Sequence, residues 1–262
     1  YRRAAEQGHT EAQVILGDLY AAGDGVAQDA GEAVAWYRRA AAQGHAESLQ
    51  WIRQAAEQGS VEAQASLGDL YIAGEGMARD ADEAAQWVRL AAEQGHAEAQ
   101  TTLGDLYAAG DGVAQDNVEA VRWYQQAAEQ GVARAQLDLG DMYFRGQGVG
   151  QDAAEGLRWF LLAAEQGYVP AQTNLAGMYA DGRGVAQDVN EAVRWYRLAA
   201  EQGFAEATRW IHLTAEQGSA SAQFTLGVMY AEGRGVEHDE LEAVVWISQA
   251  VTQGHVEAME WV

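Results

Sequence analysis

All nine tryptophans, Trp36, Trp51, Trp87, Trp123, Trp159, Trp195, Trp210, Trp246 and Trp261, follow one another at intervals of 15, 36, 36, 36, 36, 15, 36 and 15 residues. Independent globular domains do not place their largest side chain at a fixed interval. Such a period marks stacked units, each burying its apolar face only against its neighbours. Full units run Gly8–Gln43, Gly59–Gln94, Gly95–Gln130, Gly131–Gln166, Gly167–Gln202 and Gly218–Gln253. Two short units, Gly44–Gln58 and Gly203–Gln217, interrupt them, and a truncated one begins at Gly254. Residues 1–262 therefore read as a single repeat array.

Within a unit the pattern is helix, tight turn, helix. Ala12, Leu16, Leu19 and Tyr20 recur at spacings of three and four, which puts them on one helix face. Gly23-Asp24-Gly25 stops that helix, because glycine takes the left-handed conformation that closes a helix C-terminus. Asp29 and Glu32 stand at the capping-box spacing, repeated at Asp80/Glu83, Asp116/Glu119, Asp152/Glu155, Asp188/Glu191 and Asp239/Glu242. The spacing predicts a reciprocal box, each cap contributing about 1 kcal/mol. The second helix carries Ala33, Trp36, Tyr37, Ala40 and Ala41 as its stripe and ends at Gln43-Gly44. The short units lack 21 residues including the Gly-x-Gly turn, so each is expected to be one helix. That breaks the alternation of helices and predicts a kink near 44–58 and 203–217.

The series Ala99, Leu103, Gly104, Tyr107, Gly110, Gly112, Val113, Asp116, Ala120, Trp123, Tyr124, Ala127, Ala128 and Gly131 resembles the Sel-1-like repeat, a relative of the tetratricopeptide repeat. The resemblance covers essentially the whole chain. Departures are small: Ala176 stands for the helix glycine, Met77 for the turn valine, and Val88, Phe160 and Ile247 for the tyrosine after Trp. The resemblance implies an all-α fold, a right-handed α-solenoid of antiparallel helix-turn-helix repeats, serving as an adaptor or scaffold. It points to bacterial signalling, envelope or host-contact proteins, without fixing the partner or choosing between cytoplasm, periplasm and secretion.

Charge narrows the partners. The formal net charge is −23, and every basic residue is Arg. Phosphate backbones and anionic lipid surfaces repel such a chain, so neither nucleic acid nor membrane insertion is expected. No run of apolar residues approaches the roughly 18 that a membrane-spanning helix needs. A protein or peptide with a basic or amphipathic surface suits it better.

Repetition also argues against catalysis, because residues that swap freely between units carry no shared chemistry. His9, His45, His96 and His255 follow the glycine that opens a unit, where other units have Ser60, Val132, Tyr168, Phe204 or Ser219. They read as exposed junction residues rather than metal ligands. Asp24 and Asp111 could suggest a calcium loop, but Gln147, Arg183 and Arg234 fill the same position. No cysteine is present, and no nucleophile triad, phosphate loop or dinucleotide motif stands out. Neither enzyme activity nor a cofactor is expected.

Binding remains. Opposite the core stripe, the first helices carry Val14, Asp18 and Ala21, then Ala65, Asp69 and Ile72, then Thr101, Asp105 and Ala108, then Leu137, Asp141 and Phe144. If these helices line a concave wall, it bears a row of aspartates flanked by apolar groups. The expected partner-binding residues are Asp69, Ile72, Asp105, Leu137, Asp141, Phe144 and Arg145, with the outward Leu137 and Phe144 beside Arg145 the first place to look. The alternative function is structural, with arrays stacking end to end by self-association into oligomers or filaments.

Overall fold

A computed structural model describes residues 1–261, and among them every regular element is an α-helix. Two compact units are present. The first comprises residues 1–135 with 147–149 and contains α1 (Arg2–Glu6), α2 (Thr10–Ala22), α3 (Ala30–Ala42), α4 (Ala46–Glu57), α5 (Val61–Ala73), α6 (Ala81–Glu93), α7 (Ala97–Ala109) and α8 (Asn117–Glu129). The second comprises residues 136–146 with those from 150 onward. It holds most of α9 (Ala133–Arg145), then α10 (Ala153–Glu165), α11 (Val169–Asp181), α12 (Val189–Glu201), α13 (Ala205–Glu216), α14 (Ala220–Glu232), α15 (Glu240–Thr252) and α16 (Val256–Trp261). Within each unit the principal packing joins consecutive helices, as a helical-repeat solenoid requires.

The turn chemistry is that of the sequence, with one correction. The first helix of each pair ends on a left-handed glycine, such as Gly23 at φ 73° and Gly74 at φ 67°. Asp29, Asp80, Asp116, Asp152, Asp188 and Asp239 each accept a backbone N–H from the first turn of the second helix. The reciprocal half of the capping box is not made. The Asp29 N–H donates instead to the Tyr20 carbonyl at 3.0 Å, and the same link joins Asp116 to Tyr107 and Asp188 to Tyr179. The glutamates turn elsewhere. Glu83 and Glu242 accept from the indole N–H of Trp87 and Trp246, whereas Glu119 and Glu191 pair with Arg122 and Arg194. Where the arginine takes the glutamate, the buried indole N–H of Trp123 and Trp195 has no hydrogen-bond partner, and the guanidinium lies over the ring face.

A ladder of buried glutamines ties successive helices together. Gln64, Gln100, Gln172 and Gln223 donate to the carbonyls of Ala56, Ala92, Ala164 and Ala215 at the end of the preceding helix. Each then accepts from the glutamine thirty residues on, Gln94, Gln130, Gln202 or Gln253, at 2.6–3.0 Å. Each of these carbonyls also accepts from the glycine N–H three residues on, at 3.0 Å, so glutamine and glycine together satisfy both lone pairs where water is excluded. This accounts for the recurring Gln-Gly ending, which periodicity alone left unexplained.

Residues 46–57 and 205–216 each form one helix, α4 and α13. Both dock an aromatic side chain on the helix before: Trp51 on Tyr37 and Trp210 on Tyr196, ring centroids 4.5 Å apart in each case. With only one helix between them, α3 also packs directly on α5, and α12 on α14.

Candidate interaction surface

The aspartates of the first helices share a sequence position but have four different fates. Asp18 accepts from the Tyr37 hydroxyl at 2.6 Å, and Asp105 from the Tyr124 hydroxyl at 2.8 Å and from Arg134. Burial and the bond to Asp18 hold the Tyr37 phenol well above its ordinary pKa. Where the tyrosine is replaced by Val88 or Phe160, the carboxylate finds an arginine instead. Asp69 pairs with Arg38 of α3 at 3.1 Å, and Asp141 pairs with Arg145 one turn on at 2.9 Å. The row is therefore no uniform strip of free acids.

Asp69, one of the expected binding residues, lines a cleft. The cleft encloses about 490 Å³ between α3, α5 and the start of α7. Val34, Ala35, Ala42 and Ala65 give it an apolar lining, and Arg38, Arg39, Glu62, Asp69, Glu75, His96 and Glu98 surround that. Four carboxylates against two guanidiniums leave a net charge of −2 with His96 neutral. Burial pushes the Asp69 carboxyl above the usual range; Arg38 and then His96 pull it down, while Glu98 and Glu75 push it up again. Among the described residues, Glu62, Glu75 and Glu98 make no ion pair.

The rest of the expected patch is half-buried or ion-paired. Ile72 is half-buried against the core of α6 and α7. Phe144, expected to face outward, is half-buried, stacks on Phe160 at 6.4 Å and presses on Gly184. It replaces a small residue at a crowded junction, so a serine there would loosen packing as well as alter the surface. Leu137 is also half-buried, and Arg145 is exposed but engaged by Asp141. The histidines need correcting too: His45, His96 and His255 accept a first-turn N–H through Nδ1, so they cap helices as Ser60 and Ser219 do elsewhere.

The second unit carries a counterpart of the cleft. Adding 159 to a residue number takes Trp36, Trp51 and Trp87 to Trp195, Trp210 and Trp246. By the same step, residues of the first cleft map onto a smaller one of about 260 Å³ between α12, α14 and the start of α16. It is lined by Val193, Arg194, Arg197, Ser221, Phe224, Thr225 and Glu257 together with Asn190. Phe224 stands for Ala65 and Val228 for Asp69, and the Phe224 ring lies 5.0 Å from that of His255. Sequence reasoning did not assemble Arg38, Glu62, Glu75 and Glu98 around Asp69. The available signal was the missing tyrosine at Val88, which leaves Asp69 without a hydroxyl donor.

Among the described residues no group of three or more His, Asp or Glu side chains is placed to hold a metal, and no helix is long and apolar enough to cross a membrane. Helix pairs, glutamine ladder and glycine-closed turns define a helical-repeat protein of the tetratricopeptide-like class. The Sel1 repeat model matches residues 1–9, 10–45, 46–60, 61–96, 97–132, 133–168, 169–204 and 220–255, and the chain belongs to the Sel1 repeat family. It is similar to a Sel1 repeat protein from Oxalobacter formigenes, with 35% identity, TM-score 0.59, and coverage of 99% of this chain and 77% of that one. It is also similar to a protective antigen of uropathogenic Escherichia coli with an SLR fold, at 36% identity and TM-score 0.57. That match covers 98% of this chain but only 56% of the antigen. No curated protein matches the chain. Sel1 repeat proteins are in general protein-interaction scaffolds and typically not catalysts.

Proposed function

We propose that the chain is a non-catalytic scaffold that binds a protein or peptide of basic or amphipathic surface on the acid-bearing faces of its first helices, the wall expected to be concave. The observation that carries this reading is the charge of the first-unit cleft: four carboxylates gathered on an apolar lining within a chain of net charge −23. Such a surface speeds and orients encounters with cationic partners, and salt screens it. The test is affinity capture on the immobilised chain from lysate of its source. Partners retained in low salt and released as salt rises support the reading; capture indifferent to salt, or none at all, overturns it.

A further inference from the structure

We propose that the cleft between α3 and α5 seats a cationic side chain, arginine or lysine, from an extended segment of a protein partner. This rests on the scaffold reading and gives it an address. An arginine or lysine side chain has two chemical parts, an apolar stem and a charged head. The cleft offers a place for each. Val34, Ala35, Ala42 and Ala65 supply an apolar lining for the methylenes, and Glu62, Asp69, Glu75 and Glu98 supply the countercharge.

The electrostatics favour a guest. Asp69 is drawn partly out of water, and Glu98 and Glu75 are near enough to oppose its ionisation. Arg38 is the one guanidinium bonded to it, and Arg39 is held over the Trp36 ring at 4.4 Å. A second cation would therefore relieve carboxylate repulsion that the protein leaves uncompensated. An anion would meet the same groups with the opposite sign.

The twin cleft shows that the fold alone does not impose this. The same placement of helices in the second unit gives about 260 Å³ instead of 490 Å³. The ring of Phe224 occupies the place of Ala65, Val228 carries no charge, and two guanidiniums face one carboxylate. Of these two equivalent clefts, the first has the room and the negative charge.

The test uses the full chain, with calorimetric titration of a blocked tetra-arginine peptide in low salt and the tetra-citrulline peptide as its neutral isostere. Asp69→Asn should weaken tetra-arginine binding roughly tenfold, while Glu237→Gln, an equal change of charge on an exposed turn, should cost less than about twofold. The pair Ala65→Phe with Asp69→Val, which brings the bulk of Phe224 and the neutrality of Val228 to the first cleft, should abolish the site. The reverse pair, Phe224→Ala with Val228→Asp, should add one peptide per chain. Circular dichroism melts establish that each variant is folded, and Asp69→Asn serves where the double variant is not. Equal losses from Asp69→Asn and Glu237→Gln would reduce the effect to bulk charge and overturn the proposal. So would tight citrulline binding, or a change in self-association in place of peptide affinity. If salt-sensitive capture of partners survives Asp69→Asn unchanged, the scaffold reading stands and the cleft proposal falls.

Discussion

The two clefts are built on one plan and come to opposite chemistry. In each unit a second helix, α3 or α12, is followed by a lone helix that carries a tryptophan onto its tyrosine, and a first helix then packs directly on it. Several positions decide the outcome. Ala35, Glu62 and Ala65 line an open acidic cleft, whereas Arg194, Ser221 and Phe224 at the same places line a smaller one in which two guanidiniums face one carboxylate, and Asp69 and Glu75 have Val228 and Arg234 as counterparts. The lesson is that the repeat conserves the backbone arrangement needed for packing and leaves side chains at the cleft free to diverge. A search for function in such a molecule should compare equivalent positions, because a repeated residue is explained by the stack and an unrepeated one is not.

The equivalence can be broken most severely at the turns. A Cβ on Gly76 would overlap the Ala41 carbonyl oxygen, and on Gly235 it would stand 2.8 Å from that of Ala200; both residues have positive φ. Gly76→Ala should therefore cost more than about 2 kcal/mol, from left-handed strain plus a backbone clash, and Gly235→Ala somewhat less. Urea melts of the two variants measure the difference, and equal costs would mean the two turns are seated alike.

A smaller contrast lies in the tyrosines. Tyr37 is buried against Gly17 and donates to Asp18, whereas Tyr196 is half-buried and has Gly177 in place of that aspartate. Tyr37→Phe should destabilise by about 1 kcal/mol and leave a carboxylate without its donor, and Tyr196→Phe should cost little. Similar losses from the two in thermal melts would deny the hydroxyl its role.

The smallest effect concerns Asp69 and its pH dependence. Its carboxyl is raised on folding, chiefly by burial. A raised carboxyl favours the folded state while protonated, and that contribution is lost as pH rises through its folded pKa. Asp69→Asn should accordingly melt no lower than the parent at neutral pH, and the difference should shrink as pH falls through the carboxylate range. A clear loss of neutral-pH stability would show that the Arg38 pair outweighs desolvation. A cationic ligand should protect the parent and not the variant.

Much of the fold was legible in the residues. Trp spacing set the period, the glycine pairs set the turns, and Asp29 with its equivalents set where second helices begin. The capping box was half right, because a glutamate three residues after the cap has a choice of partners that local spacing does not reveal. The surface was harder to read. Phe144 has the helical angle of an outward residue, yet Gly184 leaves room that its ring fills, and its Cβ lies against Gly156. Asp69 was marked as one of a row, but its partners Arg38, Glu75 and His96 come from neighbouring elements that no periodicity places beside it.

By itself the sequence determined the helices, their ends and the order in which they stack. Those are local matters, settled by side-chain periodicity, glycine φ and caps within a few residues. Only the tertiary structure decided which carboxylates are spent on tyrosines, which are paired with arginines, and where a lone helix opens a cleft. Those outcomes depend on distances between residues tens of positions apart, and the Coulomb and desolvation energies that follow from distance and burial have no counterpart in a repeat pattern.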